Sequence, residues 1–440
     1  MKTIYFAAIG IVITLFLNDK TKAQPSTTQK DKLMGLISSF IGVYNTGDSI
    51  EYKNWFLNSD LNKTEIENAV KSNLNAYHYI GKVKIRKTDI ISPINVEAWV
   101  QTFAYDSWWK FSVVTDSMQN FKYRIIQPAG FNESFIQNGK LSESEIVSEV
   151  DSYCKRFADS NVFAGNVFIA DKERVIYSKS FGNNPQGAPN NLEQQFGLAS
   201  LGKMFTAVSI LQLIERKQIS LDSTVATYLP QFKNKVTAKA VTIRHLLTHT
   251  SGMGDFFENP DYQKNAANYK TTVDFLPLLE ADTLSFKPGS SWQYSNSGFI
   301  LLAFIIEKVT GIPFSNYIEN NILKKAGMTM TEVGSGAGGG LSTVPDLFQF
   351  ANALKSNKLL DPETTGLFFE YTVDGTWGLG SVHQKLGAER IFGHGGDYEG
   401  VCTDFSMYLK SGHTVIILSN IDPPFAHFIS DKIKELIIRG

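Results

Sequence analysis

Cysteine is nearly absent: Cys154 and Cys402 are the only two in 440 residues. That excludes a small disulfide-stapled scaffold, so a chain of this length must be held by apolar burial. The two thiols lie so far apart in sequence that spacing does not decide whether they pair. Charge of one sign is also lacking. Lys and Arg number 42 against 43 Asp and Glu, a net charge of −1, so no global basic field exists to hold a nucleic acid or an anionic membrane. Histidine is scarce and scattered, at His78, His245, His249, His383, His394, His413 and His427. His245 and His249 stand at i, i+4, but Leu246 occupies the place where a zinc-protease helix carries its Glu base, so no metal site is expected. With 43% apolar and 19% charged residues, disordered and fibrous classes are excluded.

The start of the chain is set apart from the rest. Lys2 supplies a positive charge, Ile4 to Leu17 is an apolar stretch of 14 residues, and Thr21-Lys22-Ala23 ends in a small residue. This pattern predicts a secretory signal peptide over residues 1–23, cleaved before Gln24. A retained anchor needs about 18 to 20 apolar residues, so no membrane span is expected after cleavage. Localisation is expected to be exported, either periplasmic or secreted.

What remains is long enough for two domains. Over Asp31 to Phe131, apolar residues first repeat at helical spacing (Leu33, Leu36, Ile37, Phe40, Ile41, Tyr44; then Ile66, Val70, Leu74). The period then changes to two, predicting strands over 80–85, 96–103, 108–114 and 121–126 with turns at Ser92-Pro93 and Asp116-Ser117. Residues 24–138 therefore read as an α+β unit. Residues 132–141 suit a linker. Ser142 and Glu145 form a capping box that opens a second domain, residues 139–440. This domain begins with a hairpin pattern (Phe163–Ala170, Arg174–Phe181) and closes with another (Val401–Leu409, Thr414–Leu418) before a last helix. A mainly helical stretch, about 190–350, lies between. The fold class is α+β: one antiparallel sheet made from both ends of the domain, flanked by its first and last helices, with a helical insert beside it.

Ser200-Leu201-Gly202-Lys203 carries the first chemical signal. Ser with Lys at i+3 also occurs at Ser107/Lys110 and Ser152/Lys155, so context must choose. Ser107 is in a strand-like segment, where i and i+3 face opposite ways, and Ser152 is deep in an amphipathic helix. Ser200 instead precedes Met204–Ile214, a run apolar on almost every side and so destined for an interior. There the Ser200 hydroxyl and the Lys203 amine share one face at a helix start, and burial penalises the charged amine. A serine hydroxyl needs a neighbouring base to become a nucleophile. No G-x-S-x-G elbow is present. Tyr294-Ser295-Asn296, just before an apolar helix, offers a candidate. A Tyr, with an ordinary pKa of about 10, must fall by about 3 units to work at pH 7, and a close Lys203 ammonium is expected to supply that. The third element is Gly393-His394-Gly395-Gly396-Asp397, whose paired glycines let backbone approach a ligand closely.

Ser200-x-x-Lys203, Tyr294-x-Asn296 and His394-x-Gly396, in this order, resemble the three motifs of the class C β-lactamase-like serine hydrolases, which include D-alanyl-D-alanine carboxypeptidases, D-aminopeptidases and some esterases. The likeness extends over about residues 142–440 and takes in Leu246–Gly252 and the glycine-rich Ala337–Ser342. It implies Ser200 as the acylated nucleophile and Lys203 and Tyr294 as its proton-handling partners. It also implies Asn296, His394, Gly395 and Gly396 as substrate-binding residues and the N–H groups of Ser200 and Asp397 as an oxyanion hole. No cofactor is called for, and the expected partner is a small-molecule or peptide acyl substrate. Many β-lactamases of this type have Lys where this chain has His394, which is mostly neutral at pH 7.5. That weakens the case for β-lactam hydrolysis and favours an esterase, amidase or peptidase. The alternative is a penicillin-binding-like sensor that is acylated without turnover. The first domain resembles the nuclear-transport-factor-two-like cone, in which Trp99, Trp108 and Trp109 either line a pocket or simply pack.

Overall fold

The computed structural model describes residues 25–129 and 139–440. The expected signal peptide and most of the expected linker lie outside the described residues. The chain divides between Gln137 and Asn138 into two compact units.

The first unit opens with α1 (Thr27–Tyr44), α2 (Ser49–Phe56) and α3 (Lys63–Ile80), followed by β1 (Val83–Ser92), β2 (Asn95–Thr102), β3 (Trp108–Thr115) and β4 (Phe121–Pro128). The strands form an antiparallel meander in the order β1-β2-β3-β4. Helix α1 begins at a capping box made by Ser26 and Gln29, and its inward stripe is Leu33, Ile37, Phe40, Ile41 and Tyr44. The spacing of these residues announced that helix. Helix α2 escaped the periodicity because only Tyr52 and Phe56 of its eight residues are buried. The strand expected from Ile80 starts later, since Ile80 ends α3 and Gly81 stops the helix at a φ of 69°. Trp109 is buried and its indole donates to Ser107, whereas Trp99 lies on the opposite face of β2 from buried Ala98 and Val100, with the Lys110 ammonium 5.1 Å above its ring.

The second unit is built on a six-stranded antiparallel sheet in the order β10-β11-β12-β13-β5-β6. Its strands are β5 (Gly165–Asp171), β6 (Arg174–Phe181), β10 (Val382–Leu386), β11 (Glu389–Tyr398), β12 (Val401–Tyr408) and β13 (His413–Ser419). Both hairpins appear where the sequence placed them. The central strands β5 and β13 are apolar without alternation because both faces of the sheet are covered. On one face α4 (Glu143–Asp159) and the C-terminal helix Phe425–Ile438 pack together, Phe157 against Phe425 at 5.8 Å between ring centroids. On the other, Phe348 of the helix Val344–Lys355 meets Phe168 of β5 at 4.9 Å. Helix α5 (Lys203–Glu215) and the helix Asn296–Thr310 run through the interior, and each is buried for eleven consecutive residues, 203–213 and 296–306. A small sheet of β7 (Phe196–Gly197), β9 (Gly338–Ser342) and β8 (Glu332–Ser335) lies beside them. Cys154 and Cys402 are buried free thiols.

Candidate active site

Ser200 stands in a single 3-10 turn, Ala199–Gly202, that leads directly into α5. The turn is tight: Ala199 sits at a φ of +45°, a left-handed conformation uncommon outside glycine. Two glycines let neighbouring backbone close around it. A Cβ on Gly338, itself at a φ of +121°, would lie 2.2 Å from the Ala199 carbonyl oxygen, and one on Gly396 would lie 2.1 Å from that of Leu198 and 3.0 Å from the Ser200 nitrogen. The glycine-rich segment and the His394-x-Gly396 strand are therefore the two walls that hold the serine turn. Sequence reasoning brought these segments together by resemblance, and here steric contact does so.

Lys203 is fully buried, and its amine touches three acceptors: Ser200 Oγ at 3.2 Å, Asn296 Oδ1 at 2.6 Å, and the Ala337 carbonyl. Three acceptors match the three N–H bonds of an ammonium. Once the group loses a proton, one of them must face a lone pair. An amide oxygen and a carbonyl have no proton to give, so only the Ser200 hydroxyl can turn around and donate. The surroundings thus direct the basic lone pair at the nucleophile. Burial pulls the Lys203 amine down to about 7, partly opposed by the Asp255 carboxylate.

The amide of Asn296 is occupied at both ends, accepting from Lys203 and donating from Nδ2 to Asp255 Oδ2 at 2.6 Å. These two contacts use one of the two Nδ2 hydrogens and one side of Oδ1, and the second Nδ2 hydrogen is the one open to the expected substrate-side role. Asp255 was not foreseen. It lies two residues beyond Met253 in a loop with no periodicity, and only the fold brings it to the start of the helix Asn296–Thr310. Its other oxygen accepts from the Phe257 N–H at 3.0 Å, capping a short turn.

Tyr294 immediately precedes Ser295, which caps the same helix by accepting from the Gly298 N–H at 3.0 Å. Its ring lies 4.9 Å from the Lys203 ammonium. The expectation that this ammonium brings the phenol to a working pKa near 7 is not met. Burial raises the phenol well above its ordinary value, the Ser200 hydroxyl lowers it, and the carboxylates of Asp255 and Asp397 raise it further. Burial thus favours the protonated phenol, and of the two groups it is the Lys203 amine that is brought near neutrality. His249, a second unforeseen neighbour, stacks on the Tyr294 ring at 4.2 Å and accepts from the Ser295 N–H through Nδ1 at 3.1 Å. Its place in Leu246–Gly252 marked it only as part of a structural segment.

His394 projects from β11 with Nδ1 donating to the Gly395 carbonyl, a contact that fixes the tautomer. Nε2 is therefore an acceptor, and it is buried without a hydrogen-bond partner. Burial and the nearby Lys203 pull the imidazole down to about 4, so it is neutral at physiological pH. Asp397, the next residue after Gly396, holds its carboxylate 2.8 Å from His427 Nε2 of the C-terminal helix.

The chain matches the family model described as Beta-lactamase over residues 150–438 and belongs to that family. It is thus a serine hydrolase of the β-lactamase fold. Penicillin-binding protein 4* of Bacillus subtilis is 31% identical over 321 residues, 60% of this chain and 69% of that protein. Esterase EstB of Burkholderia gladioli is 29% identical over 203 residues, 43% of this chain and 52% of that one. Among solved structures, a penicillin-binding protein from Bacillus halodurans is 27% identical with a TM-score of 0.57, covering 68% of this chain and 99% of its own. A D-amino acid amidase from Ochrobactrum anthropi, at 18% identity and a TM-score of 0.57, shares the fold over 67% of this chain and 98% of its own.

Proposed function

We propose that the chain is an exported hydrolase that cleaves esters, amides or D-amino-acid peptides through an acyl-enzyme on Ser200. The observation that carries this reading is the buried Lys203 amine, 3.2 Å from Ser200 Oγ and at about 7 already near half neutral at pH 7. In acylation Ser200 Oγ forms a bond to the substrate carbonyl carbon while its proton passes to Lys203 Nζ. The N–H groups of Ser200 and Asp397 receive the oxyanion, since Gly396 allows their two segments to close. When the bond to the leaving group breaks, the proton passes to that group through Lys203, with the protonated Tyr294 hydroxyl as the second donor beside Ser200. Water then attacks the ester by the reverse sequence, with Lys203 again as base. Asn296, held by Asp255, keeps the amine aimed.

The neutral His394 supports substrates without a carboxylate at β11. The charged groups that act on Lys203, Tyr294 and His394, beyond Lys203 itself, are the carboxylates of Asp255, Asp397 and Asp404. Among the described residues the other cation-forming group beside this end of β11 is His427, next to Gly395 and already held by the carboxylates of Asp397 and Asp404, so a penicillin-like carboxylate would find no unpaired cation there and β-lactam hydrolysis is expected to be weak at most.

Incubation with a fluorophosphonate probe followed by intact-mass and peptide analysis tests the reading. A single adduct on Ser200, absent from Ser200→Ala, is the expected result. No adduct, or one that survives that substitution, would remove the mechanism.

A further inference from the structure

In the first unit Arg124 is partly exposed, but it makes no ion pair with a carboxylate among the described residues. Arg124 lies opposite Val113, and Ile126 opposite Phe111, in the β3–β4 register. Directly opposite residues of an antiparallel pair share a face, and Val113 and Phe111 are wholly buried. Arg124 thus occupies an inward position, where the pattern of the sheet calls for an apolar side chain. Its Nε and Nη2 are both buried without a hydrogen-bond partner. Burial pulls this guanidinium down to about 10, opposed by the phenols of Tyr44 and Tyr52, which are themselves held uncharged by burial. Guanidinium N–H groups buried without an acceptor are costly to a fold.

Its neighbours are incomplete in the same way. The Tyr44 hydroxyl is buried and unpartnered, as are both polar atoms of the Asn73 amide, one helical turn before Tyr77, whose ring meets that of Tyr44 at 5.6 Å. Tyr52, by contrast, is satisfied, donating to the Tyr44 carbonyl at 2.8 Å. Around the guanidinium the lining is aromatic, with the Phe40 ring 5.9 Å away and Phe111 edge-on to Tyr44 at 4.9 Å. Nε and Nη2 form the side edge of the guanidinium, the pair of parallel N–H donors that grips a carboxylate through two oxygens.

We propose that the first unit is a binding site for a small carboxylate with a flat apolar body, its two oxygens on the Nε–Nη2 edge of Arg124 and its body among Phe40, Tyr44 and Phe111. The Tyr44 hydroxyl and the Asn73 amide supply further polar contacts. The site is independent of the serine centre, and its test does not depend on hydrolysis.

Full-length protein is titrated calorimetrically with benzoate, acetate, benzamide and inorganic phosphate. Benzoate is expected to bind at one site per chain, at least about tenfold tighter than acetate or neutral benzamide. Arg124→Leu is expected to lose benzoate binding and yet to unfold at the same or a higher temperature than wild type without ligand, because N–H groups buried without an acceptor have gone. Arg124→Lys, which keeps the charge and loses the fork, should weaken benzoate by about tenfold or more, and it serves if the leucine variant does not fold. An arginine that only supports packing would give the reverse: no benzoate binding to wild type and a lower unfolding temperature in Arg124→Leu. That result overturns the proposal, as does binding of phosphate or benzamide in preference to benzoate.

Discussion

A lysine enclosed by three acceptors, of which only one can return a proton, is both base and pointer. Lys203→Ala removes the base, and Tyr294→Phe removes the second proton donor. Each is expected to lower turnover of a p-nitrophenyl ester by at least about 100-fold, measured as kcat/KM. Asp255 acts on the same group from behind Asn296. Its carboxylate raises the Lys203 pKa, so Asp255→Asn should lower it. Reactivity requires the neutral amine and therefore rises with pH through that pKa. The rising limb of Ser200 labelling against pH, near 7 in wild type, is expected to move to lower pH in the variant, with a lower plateau because the amine is a weaker base. A limb that stays in place would show that Asp255 does not act on Lys203. At this scale the sequence was informative where function rests on a short motif. Ser200 and Lys203 share a helix start, and their spacing alone sets them on one face. Asp255 and His249 were not legible, since each reaches the site only through the tertiary packing of loops against the helix Asn296–Thr310.

Elements place these residues by coming unusually close. The serine turn is wedged between the glycine-rich strand β9 and the edge of β11, and the clearance at Gly396 is less than a methyl group. Gly396→Ala is expected to push β11 away from the turn and separate the two oxyanion donors. Fluorophosphonate labelling should then slow by about 100-fold or more, with the far-ultraviolet circular dichroism unchanged. Labelling at the wild-type rate would mean that the closeness at Gly396 serves packing alone. The paired glycines of the motif flagged a close approach, but not what approached. The nearly all-apolar runs of α5 and the helix Asn296–Thr310 announced burial, and both lie inside the domain. Weakly patterned α2 did not show itself, because a short helix with two buried residues leaves almost no period to read.

At the scale of the molecule, the two units have separate cores. Residues 139–440 expressed alone are expected to fold and to label at Ser200 at a rate within about threefold of the full chain, a change of well under 1 kcal/mol in barrier. An insoluble or unreactive fragment would show that the first unit is required for the second to fold or react. The broad division into a helix-then-sheet unit and a larger hydrolase unit could be read from the change in period and from the capping box at Ser142. What could not be read was the unpaired Arg124, since an arginine in an alternating strand looks like an outward residue until the register sets it opposite Val113.

The large sheet is closed at its middle by β13 on β5, in which Gly165 pairs with Ser419. A growing chain can hold helices and the β5–β6 hairpin, but the sheet is incomplete until β13, about 250 residues further along, has joined β5. Closure of the β5–β13 seam is thus the step at which two segments remote in the chain make the hydrolase unit a single body.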